Sequence, residues 1–325
     1  MPRSILGYVI RFTGKHQAGL ALLSVAVFLL SAVPLELQRR IVNDAIGKGA
    51  WRTIFWLALT YASVALLEQS LKLALNVYRA WVAEDAVRTL RNTIRESNVE
   101  SAIVLQSRGE AGIEVAMVLE EAEPIGGFTG VSVSEPLLQG GILASVIGYM
   151  VYLDPTLALI GLAFFLPQMV FVPLFQAAIN RRAEARILTK RALSGAIVEG
   201  VLPDGSSWAR QGEPIQRVFA LNMGIYRRKY AMNLLMNLMH HLAVAVALCL
   251  GGWLAVEGRI EVGTVVAIVG GLGKLNDPWG DLVNWGRELS VVGVKYRLFA
   301  DAVDRLASTS RRPVGGRLTL DASPA

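Results

Sequence analysis

The chain has 325 residues, of which 53% are apolar and only 18% charged, with a formal net charge of +6 and one cysteine. A charged fraction this far below the roughly 25% of ordinary soluble domains favours a membrane protein, and the long apolar stretches overrule a water-soluble fold. A single cysteine excludes an intrachain disulfide and a cysteine metal cluster. Basic residues interleave with acids along the chain, which fits anionic lipid better than nucleic acid.

Six apolar segments are long enough to cross a hydrocarbon core of about 30 Å: 20–37, 53–77, 131–152, 156–178, 234–256 and 262–283. The first follows Arg3, Arg11 and Lys15, as a signal peptide would. It starts late, however, and Pro34–Leu35–Glu36 follows without a small-x-small cleavage site, so a retained span is expected. The second opens the most informative run. From Arg52 to Arg108 there is no glycine or proline, and 53–67 is almost wholly apolar. The remainder carries Arg79, Glu84, Asp85, Arg88, Arg91, Arg95, Glu96 and Glu100. One helix over this run would approach ~80 Å, crossing a bilayer and continuing far into water. Gly109 and Gly112 mark its end.

The third and fourth segments are joined by Leu153–Asp154–Pro155, a tight-turn sequence. Residues 174–194 and 225–250 contain no glycine or proline, and each run joins an apolar half to a basic half. The fourth and fifth spans are therefore also expected to leave the membrane, with Pro203, Gly205, Gly212 and Pro214 marking the tip of their hairpin. Cys249, in the fifth span, reads as a small buried hydrophobe. A short turn, Glu257–Gly258–Arg259–Ile260–Glu261, leads to the sixth span, where Pro278 is expected to kink the helix.

With the N-terminus in the cytoplasm, all but five of the 32 lysines and arginines lie on the inner side. The exceptions are Arg39, Arg40, Lys48, Arg52 and Arg259. The four that follow the first span run against the rule and point to a re-entrant elbow or to a later end of that span.

Polar residues inside spans are candidate pathway residues, since ionisable groups in a bilayer face a cavity or a partner. Glu68 and Lys72 lie four apart on one helix face and can pair. Two roles fit them: lining a pathway, or forming a structural pair near a helix end. Asn276, Asp277, Trp279, Asp281, Asn284 and Trp285 surround Pro278. This stripe either faces a central cavity or reaches the water of the inner leaflet. His240 and His241 point about 100° apart on a helix, which suits interface histidines better than a metal site.

Six spans, short outer turns and two very long inner hairpins resemble the transmembrane domain of ABC exporters. Local sequence is similar too. Residues Glu257 to Ala267 resemble that family's fifth-to-sixth turn, Asp277–Pro278–Trp279 its proline in the sixth span, and Val294 to Phe299 the stretch ending in R-[LIV]-F. Glu199 and Glu213 have the spacing of the glutamates that open and close the second inner tip, and Gly112 with Glu120–Glu121 fits the first. The sequence departs from the family where the first tip has glutamate for aspartate, and where Pro203 and Ser207–Trp208–Ala209–Arg210 replace a glycine and a Lys–Ala–Phe-like run.

The resemblance implies an all-α membrane protein of six transmembrane helices with long cytoplasmic extensions over residues 1–305. Residues 306–325 form a tail in which Gly316 to Asp321 resembles the opening strand of a nucleotide-binding domain. No G-x-x-x-x-G-K-[ST] loop exists. Gly270–Gly271–Leu272–Gly273–Lys274 imitates one, but Ile268 stands at the first glycine and Leu275 at the metal-binding hydroxyl, so close helix packing is expected there. No catalytic residue, metal or cofactor is expected on this chain; ATP and Mg would bind a partner subunit.

The implied partners are a second transmembrane domain, in a homo- or heterodimer, separate nucleotide-binding ATPase subunits, and the lipid bilayer, with no nucleic acid. The implied location is the plasma (inner) membrane, multi-pass, with both termini cytoplasmic. In the family a short helix at each inner tip docks in a groove of an ATPase subunit. Here that implies segments 105–113 and 203–211, with Leu105, Gln106, Ser107, Arg108, Gly109, Glu110 and Gly112 in the first tip, and Pro203, Asp204, Gly205, Trp208, Arg210 and Gln211 in the second. Two alternatives accompany the ATP-driven exporter. One is a proton-coupled transporter of the same fold, with Glu68 carrying the proton. The other is a truncated, non-transporting remnant.

Overall fold

The computed structural model describes residues 2, 4–46, 51–105, 122–199 and 207–310. Among these there is no strand. The helices are α1 (Ile5–Ser31), α2 (Val33–Arg40), α3 (Trp51–Leu105), α4 (122–131), α5 (Ser134–Leu153), α6 (Pro155–Glu199), α7 (Ser207–Val256), α8 (Val262–Gly273) and α9 (Asn276–Ser310), with a π-helical segment at Ile41–Ile46. Five helical stretches are long and apolar enough to cross a membrane: Ile5–Asp44, Trp51–Thr93, Ala122–Leu153, Pro155–Lys190 and Gly212–Val256. On α3, Trp51, Phe55, Trp56, Leu59, Leu66 and Leu67 are all exposed. A helix apolar around its whole circumference is one whose solvent is lipid. Cys249 belongs to the same kind of surface. It is exposed on α7, not buried as its residue type suggested, because an apolar side chain on a lipid-facing helix needs no protein cover.

Several boundaries differ from the sequence reading. The first pass does not end at residue 37; it continues through α2 and the π-helical segment. Pro34 opens α2 instead of terminating the span, a first-turn position where its missing N–H costs nothing. Gly212 and Pro214 are not tip breakers: both lie inside the 50-residue α7. An internal proline loses one backbone hydrogen bond at a cost of about 3 kcal/mol, which a helix packed along most of α6 absorbs. The sixth apolar segment is not one continuous helix. α8 stops at Gly273 and α9 starts at Asn276. Pro278 lies in the first turn of α9, so it begins a helix where a mid-helix kink was expected.

The turns are chemically explicit. Asp154 accepts a hydrogen bond from the Leu157 N–H at 2.8 Å, and Pro155 opens α6. At the end of α7 the Gly258 N–H bonds to the Ala255 carbonyl at 3.0 Å, and the Arg259 N–H to Leu254 at 2.9 Å. Gly258 has φ 71°. This paired closure needs a left-handed residue, and glycine supplies it without a Cβ clash.

Two compact units form. One comprises residues 1–30, 65–141 and 284–325. Its apolar core includes Tyr8, Leu90, Ile125, Phe128, Tyr296 and Phe299. Burial, with Tyr8 alongside, pushes the Tyr296 hydroxyl up to about 12, and it donates to the Pro2 carbonyl at 2.9 Å. The other unit comprises residues 31–64 and 142–283. Within it α6 packs along α7, and α8 packs against α7 and α2.

Candidate functional site

Two pairs of antiparallel helical legs carry the longest helices, and side-chain pairs fix their register. In the α6–α7 hairpin, Leu157 lies opposite Gly251, Gln168 and His240 line one cavity, and Arg186 donates to Asn222 at 3.2 Å. Each pair is placed symmetrically in sequence about Asp204. In the hairpin that joins α3 to α4 and α5, Gly130 lies against Ala83, Gly126 against Val87, and Arg91 faces Glu123 at 3.8 Å. These pairs are symmetric about Gln106 and Ser107. Two antiparallel helices of equal rise produce this pairing.

Of the tip residues, Gln106, Ser107, Arg108, Gly109, Glu110, Gly112, Pro203, Asp204 and Gly205 lie outside the described residues. Leu105 is the last residue of α3. Trp208, Arg210 and Gln211 belong to the opening turns of α7, and their backbone runs on to Val256 without a break.

The candidate pathway residues separate into different settings. Glu68 is buried and paired with Lys72 at 2.7 Å. Asn276 lines a small cavity with Gln168 and His240. Trp279 is half-buried with its ring edge-on to Phe165, centroids 6.2 Å apart, while Asp277 and Asn284 are exposed. The stripe around Pro278 is therefore not one surface. The His240 and His241 rings lie 5.4 Å apart, and only His240 lines the cavity.

The glycine run that imitates a phosphate loop is a packing face. A Cβ on Gly270 would meet Leu35 at 3.1 Å, and one on Gly271 would meet Met150 at 2.8 Å. Lys274 donates to the Ser31 carbonyl at 2.7 Å. Small residues let α8 approach α2 and α5 closely, as glycine does between membrane helices.

Sequence reasoning missed two polar networks. In the first, Arg79 pairs with Glu135 at 2.6 Å and donates its Nε–H to Ser134 Oγ at 2.8 Å, while Gln139 donates to Glu135 at 2.8 Å. Arg79 and Glu135 expose only 10% and 18% of their side chains. A signal existed: Glu135 is the one acid in the third apolar segment, and Arg79 lies eleven residues after Glu68, on the same helix face. In the second, Glu36 accepts from Arg39 at 2.9 Å, Arg40 at 2.6 Å and Tyr149 at 2.7 Å, and Arg39 reaches Glu261 at 3.0 Å. Arg39 and Arg40, which ran against the charge rule, are thus held by acids of their own unit.

The chain matches the family model described as ABC transporter transmembrane region over residues 18–202. A comparison with curated proteins finds no match. That match covers more than half of the chain and both legs of the first long hairpin. With the apolar, almost wholly helical structure around it, it identifies the chain as an integral membrane protein of the ABC transporter transmembrane region family.

Proposed function

We propose that this chain is the pathway-forming membrane subunit of an ATP-driven exporter, working as a dimer and coupled to separate ATPase subunits through its two hairpin tips. The observation that carries this reading is helix length. α3, α6 and α7 have 55, 45 and 50 residues. At 1.5 Å per residue they reach roughly 83, 68 and 75 Å, more than twice the hydrocarbon thickness. Helices that long bring membrane-spanning segments and water-exposed tips into the same rigid rods. Force applied by a partner at Gln106–Ser107 and Asp204 is transmitted straight into the spans.

In this reading the chain itself binds neither nucleotide nor metal. ATP and Mg are held by the partner, whose closure shifts the dimer between inward-open and outward-open states. A bias of a few kcal/mol between the two states is enough. Both termini lie in the cytoplasm, and the membrane is the plasma (inner) membrane.

The test is affinity purification in mild detergent, followed by an ATPase assay of what co-purifies. Trp208→Ala and deletion of 203–211 are then compared for ATP-coupled transport in vesicles. ATP hydrolysis should persist while transport is lost. Unchanged coupled transport in both variants refutes the docking assignment. Transport that persists without ATP and collapses with the proton gradient favours the ATPase-independent alternative. Sidedness is read by labelling single cysteines at Gly109 and Gly205 in a Cys249→Ala background, because Cys249 is itself exposed.

A further inference from the structure

Gln168 lies within the apolar part of α6 and is 1% exposed, yet its side-chain Oε1 has no hydrogen-bond partner. It lines a cavity of about 10 Å³ shared with His240 of α7, Asn276 at the start of α9, and the apolar side chains of Phe165, Leu272 and Leu275. The cavity adjoins the interruption between α8 and α9.

Cavities that stay dry are lined by apolar groups alone, whereas three polar side chains interrupt the mostly apolar wall of this one. A buried amide oxygen in a membrane helix has no lipid group to bond to. The space admits one water-sized guest. Such a guest needs two to four polar partners, and the wall offers three: an acceptor at Gln168, a ring nitrogen at His240, and an amide at Asn276 that both donates and accepts.

We infer that this cavity is a hydration site holding a single water molecule, which joins α6, α7 and the start of α9 through Gln168, His240 and Asn276. The water satisfies the Gln168 oxygen and supplies exchangeable hydrogen bonds beside the α8–α9 interruption. Nothing in this inference depends on an ATPase partner.

Radiolytic hydroxyl-radical labelling of the full chain in detergent micelles, read residue by residue by mass spectrometry, tests it. Radicals formed at an internal water mark the side chains beside it. Phe165 is 4% exposed, close to Phe128 at 2% and Phe299 at 1%, which lie in the hydrophobic core cluster of the other unit and serve as controls. Labelling at Phe165 should exceed that at both controls, and Gln168→Met should reduce it to their level. Equal labelling of the three phenylalanines in the unaltered protein overturns the inference, and this comparison needs no variant to fold. Labelling of Phe165 that is unchanged in a folded Gln168→Met protein overturns it as well.

Discussion

The Arg79–Glu135 pair offers the sharpest energetic test. The charged groups meet at 2.6 Å with side chains 10% and 18% exposed, so solvent screening is slight. At an effective dielectric of about 20, charges about 4 Å apart attract by about 4 kcal/mol, most of it offset by the cost of desolvating both ions. The net worth of the intact pair is therefore small, whereas a lone charge left behind is costly. In Arg79→Leu, Glu135 keeps the hydrogen bond from Gln139 and loses its counter-charge, and Ser134 Oγ loses the Arg79 Nε–H. A loss of about 3–4 kcal/mol is expected. Replacing both residues with leucine should bring stability back to within about 1 kcal/mol of the unaltered protein. Unfolding by graded SDS in dodecyl maltoside micelles, followed by tryptophan fluorescence, measures the unaltered protein, both single variants (Arg79→Leu and Glu135→Leu) and the double variant. A double variant as unstable as the two single losses added together would refute the reasoning, as would an Arg79→Leu loss below about 1 kcal/mol.

Three further outcomes can be checked in the same assay. Gly130→Ala drives a methyl into the Arg79 carbonyl, a backbone atom that cannot yield, and should destabilise by about 1–3 kcal/mol; Gly127→Ala, with nothing within 4 Å, should be neutral or stabilise by up to about 1 kcal/mol. Glu36→Gln removes the charge shared by Arg39, Arg40 and the Tyr149 hydroxyl, and should cost about 2 kcal/mol, read as a lower midpoint for SDS unfolding. Gly258→Val forces a β-branched residue into a left-handed conformation at φ 71°, at a cost of about 1–2 kcal/mol, with proteolytic nicking at the α7–α8 turn as a second readout.

What the sequence made legible follows from physical range. The glycine- and proline-free run after Arg52 became one 55-residue helix because nothing in it interrupts the backbone ladder. The tip segments read from sequence lie almost wholly outside the described residues, and two of the breakers assigned to the second, Gly212 and Pro214, are helical. Pairings between helices were not readable. Arg79 and Glu135 are 56 positions apart, and only the antiparallel register brings them together. Helix breaks were also misread. Pro214 looked like a terminator and is helical, whereas the interruption at Lys274–Leu275 precedes its proline by three residues. Proline restricts the residue before it and lacks a donor, but whether a helix ends there depends on tertiary packing that no local pattern records.

The glycine contacts of α8 bear on how the sixth pass can move. Gly263 sits on the Arg39 carbonyl and Asn43, Gly270 on Leu35 and Gln38, and Gly271 on Met150, leaving α8 no slack against α2, the π-helical segment or α5. Such a helix is an anchor, and the non-helical step at Lys274–Leu275 is its fulcrum. The same step lets the first turn of α9 leave the line of α8, which places Asn276 and Trp279 beside α6 in the same unit.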